Sequence, residues 1–231
     1  MTRGGDEFWL RTVLPYYRNR YFVGRGEELE EIHASLCGGM PMDRSCSVLL
    51  HGIGGIGKTQ IALEYAYRHT EDFSSILWLD AKDHWSVQAS LLGIVQDLVN
   101  HYRRLFQDAE RPCFQASQHL GLKTIVDDNG RIIPDYGSSK IIGEALKEWL
   151  SRRSNDRWLL IIDAVDNDNE TYMSELLSQI PWGRRLYTTR CQGRVQYERV
   201  IRLTTMTVHE SMLLFSAHSG KPLEAGDKYG E

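Results

Sequence analysis

The chain has 231 residues, 42% of them hydrophobic and 25% charged, with a formal net charge of −4 and a pI near 6.1. That is enough apolar material for one sizeable α/β domain, and it is not the composition of a disordered chain. The acidic balance argues against a nucleic-acid surface, no apolar run reaches the ~18 residues of a membrane span, and Cys37, Cys46, Cys113 and Cys191 show no C-x-x-C spacing.

Residues 1–20 carry aromatics and arginines without clear periodicity and read as an extended lead-in packed partly on the core. Glu27 to Cys37 follows with Leu29, Ile32, His33 and Leu36 at helical spacing and acids in the first turn, where the helix dipole favours them. His33 reads as a half-buried residue of that helix. Short apolar runs predict strands at Ser47–His51, Ser75–Leu79, Trp158–Asp163, Arg184–Thr189 and Arg199–Leu203. Helical patterns lie at Lys58–His69, Trp85–Leu105, Ser139–Arg152, Glu170–Gln179 and Val208–Ala217. Strands alternating with helices imply a parallel sheet covered on both faces. The stretch from 106 to 138 is too long for an ordinary connection and is expected to be a surface insertion, mobile or locally folded, with no role assigned. The pairs Arg103/Arg104, Arg152/Arg153 and Arg184/Arg185 are expected on solvated faces and helix ends.

The informative stretch is "SVLLHGIGGIGKTQIALEYAYRHT", Ser47 to Thr70. Gly52 to Thr59 fits G-x-x-x-x-G-K-[ST] without a mismatch, with an apolar strand before it and a helix after it. Gly52, Gly54, Gly55 and Gly57 let successive backbone N–H groups approach a polyphosphate, and the helix beginning at Lys58 points its free N–H groups at the same place. Lys58 supplies a point charge for the β- and γ-phosphates, and the Thr59 hydroxyl suits Mg2+. A second anionic element comes from "RWLLIIDAVDN", where Asp163 ends a strand on the edge at which ligands of open parallel sheets collect. The bland alternatives are a glycine turn that binds nothing and a helix-capping aspartate; the two motifs together argue against both.

The succession "YFVGRGEELEEIHASL", "VLLHGIGGIGKTQIALEYAYRH", "ILWLDA", "WLLIIDAVDN" and "GRRLYTTR" resembles the NB-ARC nucleotide-binding domain. That domain belongs to the STAND class of signal-transduction ATPases, and the match looks most like fungal NOD-like receptors, relatives of plant resistance proteins and apoptotic adaptors. It covers 21–219, leaving 220–231 as a truncated linker. The resemblance implies a P-loop NTPase fold, a three-layer sandwich around a five-stranded parallel sheet of order 5-1-4-3-2. It implies ADP or ATP with Mg2+ as ligands, while the unpaired cysteine spacing and the lack of a signal-peptide pattern lead us to expect a reducing, cytoplasmic setting. Partners would be the remaining receptor domains and, in the full-length activated protein, further copies, with this fragment monomeric and neither nucleic acid nor membrane involved.

By the same resemblance Val23, Gly24 and Arg25 hold the base side. Gly52, Gly54, Gly55, Ile56, Gly57, Lys58, Thr59 and Gln60 hold the phosphates, Thr59 and Asp163 hold the metal, and Arg190 of "YTTR" reads the γ-phosphate. Arg190 is otherwise an exposed strand-end arginine. The chain departs from many related ATPases in carrying Ala164, a methyl group, where they place a catalytic carboxylate. Asp166 either positions water or Mg2+ or is a loop residue. Lys58, Asp163, Asp166 and Arg190 are thus the candidates for chemistry, and two functions stand: a nucleotide switch with slow hydrolysis, or a hydrolytic P-loop ATPase such as an AAA-type motor or small-molecule kinase.

Overall fold

The computed structural model describes residues 8–10, 14–39, 44–135, 137–153, 155–165, 167–191 and 197–220. Five strands, β1 (Cys46–His51), β2 (Ser75–Asp80), β3 (Trp158–Asp163), β4 (Arg184–Thr189) and β5 (Arg199–Arg202), form one parallel sheet of order β2-β3-β4-β1-β5. Read from the other edge, this is the expected 5-1-4-3-2. The helices are α1 (Gly26–Cys37), α2 (Lys58–Arg68), α3 (His84–Leu105), α4 (Pro112–His119), α5 (Ser138–Leu150), α6 (Asn167–Leu176) and α7 (Val208–Ser219).

The near-continuous apolar strands are explained by cover on both faces. Side chains alternate across the sheet, so Val48, Leu50, Leu159 and Ile161 pack with Leu29, Ile32, Leu36 and Ile61 of α1 and α2. Leu49, Leu160 and Ile162 face the opposite way, against Leu91, Leu98, Leu146 and Trp149 of α3 and α5. The result is a three-layer sandwich. At the foot of the second layer, the indoles of Trp158 and Trp182 both donate to the Leu150 carbonyl, at 3.1 and 2.8 Å, and so satisfy the C-terminal end of α5.

Two regions take a form that the sequence did not specify. Residues 106–138 contain α4 and an antiparallel bridge between Val126 and Ile132, closed by a turn in which Asp127 Oδ1 accepts from the Asn129 and Arg131 amides at 2.9 and 2.8 Å. Ala116, Leu120, Leu122, Ile125 and Ile132 of this segment are buried in the α3 core, so it is a folded part of the second layer. Arg184 is not on a solvated face. It is fully buried, and its guanidinium donates to the Leu36 carbonyl and, at 2.5 Å, to the Arg44 carbonyl, closing the C-terminal end of α1.

The lead-in packs as expected where it is described. Leu10 is buried, its amide donates to Ser75 Oγ at 3.2 Å, and that hydroxyl donates to the Phe8 carbonyl at 2.7 Å. Among the described residues no helix is long and apolar enough to cross a membrane.

Candidate functional site

All five strands run the same way, so the ends of β1, β3 and β4 deliver His51, Asp163 and Thr189 to one edge of the sheet. The six residues between β1 and α2 form the glycine loop. Gly55 and Gly57 adopt φ of 79° and 101°, a left-handed conformation that a side chain would strain, and an added Cβ at either would meet open space. At Gly52 the constraint is proximity: a Cβ would lie 3.3 Å from the Leu203 carbonyl oxygen.

Lys58 opens α2 and turns its ammonium back into the loop, donating to the carbonyls of Gly52 at 2.7 Å and Ile53 at 2.9 Å. Burial, and then the neighbouring Arg190, push its pKa down from the ordinary lysine value. A buried cation whose partners at hydrogen-bond distance, among the described residues, are carbonyls is poised to exchange them for an anion. Thr59 Oγ1 lies 2.9 and 3.0 Å from the two carboxylate oxygens of Asp163, and Thr188 Oγ1 donates to Asp163 Oδ1 at 2.5 Å. Burial raises the Asp163 pKa, and the bonds from Thr188 and Thr59 oppose the rise. A hydroxyl and a buried carboxylate side by side form a hard-oxygen pair that suits Mg2+, whose charge would offset the desolvation of Asp163.

Lys58, Thr59 and Thr188 border a cavity of about 470 Å3. Its walls are the loop with Lys58, Thr59 and Gln60, the strand ends with Ala164, Thr188 and Arg190, and the turn after β2 with Lys82 and Asp83. The guanidinium of exposed Arg190 lies beside Gly54, with Nε 3.7 Å from where a Cβ would be. Three cations, Lys58, Lys82 and Arg190, therefore face one polyphosphate-sized space. Ala164 lies in the left-handed region, φ 60°, and its amide donates to Thr188 Oγ1 at 2.8 Å, so strand end, Thr188 and Asp163 form one hydrogen-bonded unit.

Val23, Gly24 and Arg25 do not line this cavity, and the Arg25 side chain is buried among protein partners. It donates to Glu28 at 2.7 Å, to the Thr204 carbonyl at 2.8 Å and to the Ile56 carbonyl in the loop at 3.5 Å. The Arg25 amide donates to Glu210 Oε1 at 3.2 Å, and Glu210 also closes a capping box with Thr207 at the start of α7. Arg25 thus ties α1, the glycine loop and the β5–α7 connection together. Asp166 falls outside the described residues.

Lys82, Thr188 and Glu210 were missed by the sequence reading. Thr188 and Lys82 follow or adjoin strand ends next to recognised motifs, and T-x-x-E at Thr207–Glu210 is a local capping signature, so each carried a signal.

Fold and site together define a P-loop NTPase. The family profile described as the AAA ATPase domain matches residues 21–181, and the chain belongs to that family. It is 27% identical over 222 residues to a nucleotide-binding leucine-rich repeat (NLR)-like protein of Hyaloscypha variabilis, an alignment covering 87% of this chain and 19% of the relative's length. Among solved structures it resembles Cdc6p of Pyrobaculum aerophilum with a TM-score of 0.54 at 14% identity, over 89% of this chain and 52% of that one. The likeness to Cdc6p is one of fold. The chain is a P-loop ATPase nucleotide-binding domain, and its motifs and relative place it with NB-ARC/STAND-like domains.

Proposed function

We propose that this domain is an adenine-nucleotide switch, the core of a cytoplasmic NOD-like receptor, in which ADP holds one state and ATP favours another that oligomerises. The observation that carries the reading is a cavity equipped to hold phosphates and poorly equipped to activate water. Ala164 presents a methyl group beside Asp163, and Asp80, Asp83 and Asp163 already accept hydrogen bonds. Asp163 accepts from Thr59 and Thr188, and Asp83 caps α3, accepting from the Ser86 amide at 2.8 Å. That bond and others hold Asp83 below the usual carboxylate range, which makes it a weak base. Asp166 stays a candidate for positioning water. Mg2+ held by Thr59 and Asp163 would neutralise phosphate charge. The NLR-like relative supports the receptor context, with other domains of such a receptor as partners. The family match to an AAA ATPase domain favours the second reading, a faster hydrolytic ATPase.

Switching by differential binding requires a group that distinguishes ATP from ADP. Arg190 fits that role: it stands exposed at the end of β4 beside Gly54, where a third phosphate would add negative charge. A charge-assisted hydrogen bond contributes about 1.5 to 3 kcal/mol, so Arg190→Ala should weaken ATP roughly ten- to a hundredfold and leave ADP nearly unchanged. Calorimetry with both nucleotides tests this. Equal losses for ATP and ADP would make Arg190 structural and remove the sensor.

A further inference from the structure

Away from the phosphate cavity, two histidines and an aspartate from separate segments converge. His33 projects from the middle of α1, His69 caps the C-terminal end of α2, and Asp72 follows in the turn that leads toward β2. The two imidazoles stack with centroids 4.1 Å apart and planes 16° from parallel. Potential ligand atoms of the three side chains lie within 4.8 Å of one another, and all three residues are half-buried, open enough for an ion to enter.

We propose that His33, His69 and Asp72 form a binding site for a borderline divalent transition metal ion, with Zn2+ the best fit. Two imidazoles and one carboxylate are the donor set Zn2+ favours, with water free to complete a tetrahedron, whereas Mg2+ prefers an all-oxygen shell. The surroundings match what such a site needs. His69 Nδ1 and Asp72 Oδ2 are already 2.6 Å apart, so an ion bound by both would replace the contact between them. His33 Nδ1 lies 3.4 Å from the Tyr65 hydroxyl. The turn bearing Asp72 is held by the Asp72 amide donating to the His69 carbonyl at 3.1 Å and by Arg157 donating to the Asp72 carbonyl at 3.0 Å. Zn–N bonds of about 2.1 Å place tetrahedral ligands roughly 3.3 Å apart, so closing the set takes side-chain shifts of about an ångström.

The site sits one α2 length, about 16 Å, from the phosphate loop and is chemically distinct from the Thr59–Asp163 pair. It bridges the two helices whose first residues are Gly26, next to Arg25, and Lys58, so an ion there would clamp the outer layer that frames the nucleotide.

The test is calorimetric titration of Zn2+ into chelator-stripped, nucleotide-free protein in excess Mg2+, which occupies hard-oxygen sites. One ion per chain should bind. His33→Ala and His69→Ala should lose that binding, and Asp72→Asn should weaken it about tenfold or more. Absence of binding to the unmutated protein, or unchanged affinity in either histidine variant, overturns the proposal. A second readout needs no variant to bind metal: imidazole NMR signals of His33 and His69 in the unmutated protein should shift together and saturate at one equivalent. Saturation that moves other histidines and leaves these two unshifted also overturns it.

Discussion

Lys58→Ala should lower ADP and ATP affinity by roughly 10²- to 10⁴-fold while leaving the protein folded. The ammonium makes two short bonds to loop carbonyls, at 2.7 and 2.9 Å, and is set to transfer them to phosphate oxygens. Two charge-assisted hydrogen bonds contribute about 3 to 6 kcal/mol, which converts to that range. Stability should move far less, because the substitution also removes the cost of burying a cation whose pKa burial has already lowered. Calorimetry alongside thermal unfolding separates the two effects. Unchanged ADP affinity would remove the loop from nucleotide binding, and collapse of the fold would show that Lys58 is a structural cation.

Gly183→Ala should be the most damaging single-methyl change in the framework. Gly183 precedes β4 at φ 84°, and an added Cβ would fall 2.2 Å from the buried Trp158 ring. Left-handed backbone costs about 1 to 2 kcal/mol for an alanine and overpacking about 1 to 3, so roughly 2 to 5 kcal/mol should be lost. For a chain of this size that lowers the thermal midpoint by roughly 10 °C. Gly121 is the control: φ is 71° and nothing lies within 4 Å of its added Cβ, so Gly121→Ala should cost only the backbone part. Equal losses in chemical denaturation would mean that Trp158 yields without penalty.

The contrast between these two residues shows what a sequence can display. The loop from Gly52 to Thr59 is legible because its physics is local: strand, glycines, lysine and helix occur consecutively. The strands were legible for the same reason, their apolar runs being short and contiguous, whereas the strand order rested on resemblance to a family. Residues 106–138 were opaque because Ala116, Leu120, Leu122, Ile125 and Ile132 follow no single period and are buried only by packing on α3. Arg184 looked like a surface charge until the Leu36 and Arg44 carbonyls, distant in sequence, were brought to it. Arg25 and Glu210 meet across 185 positions, and the His33–His69 stack joins two helices, with nothing in either segment to announce the other. Such pairings exist only after folding.

This domain is expected to hold ATP without hydrolysing it quickly, and steady-state ATP turnover with Mg2+ decides the matter. A positioned base or water-orienting group typically contributes about 10²- to 10⁴-fold, and Ala164 removes the usual one. The predicted rate is on the order of a few turnovers per hour or less, the regime of unassisted nucleotide switches. A rate above about one per second, within the ordinary range for enzymes, would contradict the switch and establish a hydrolytic ATPase in its place.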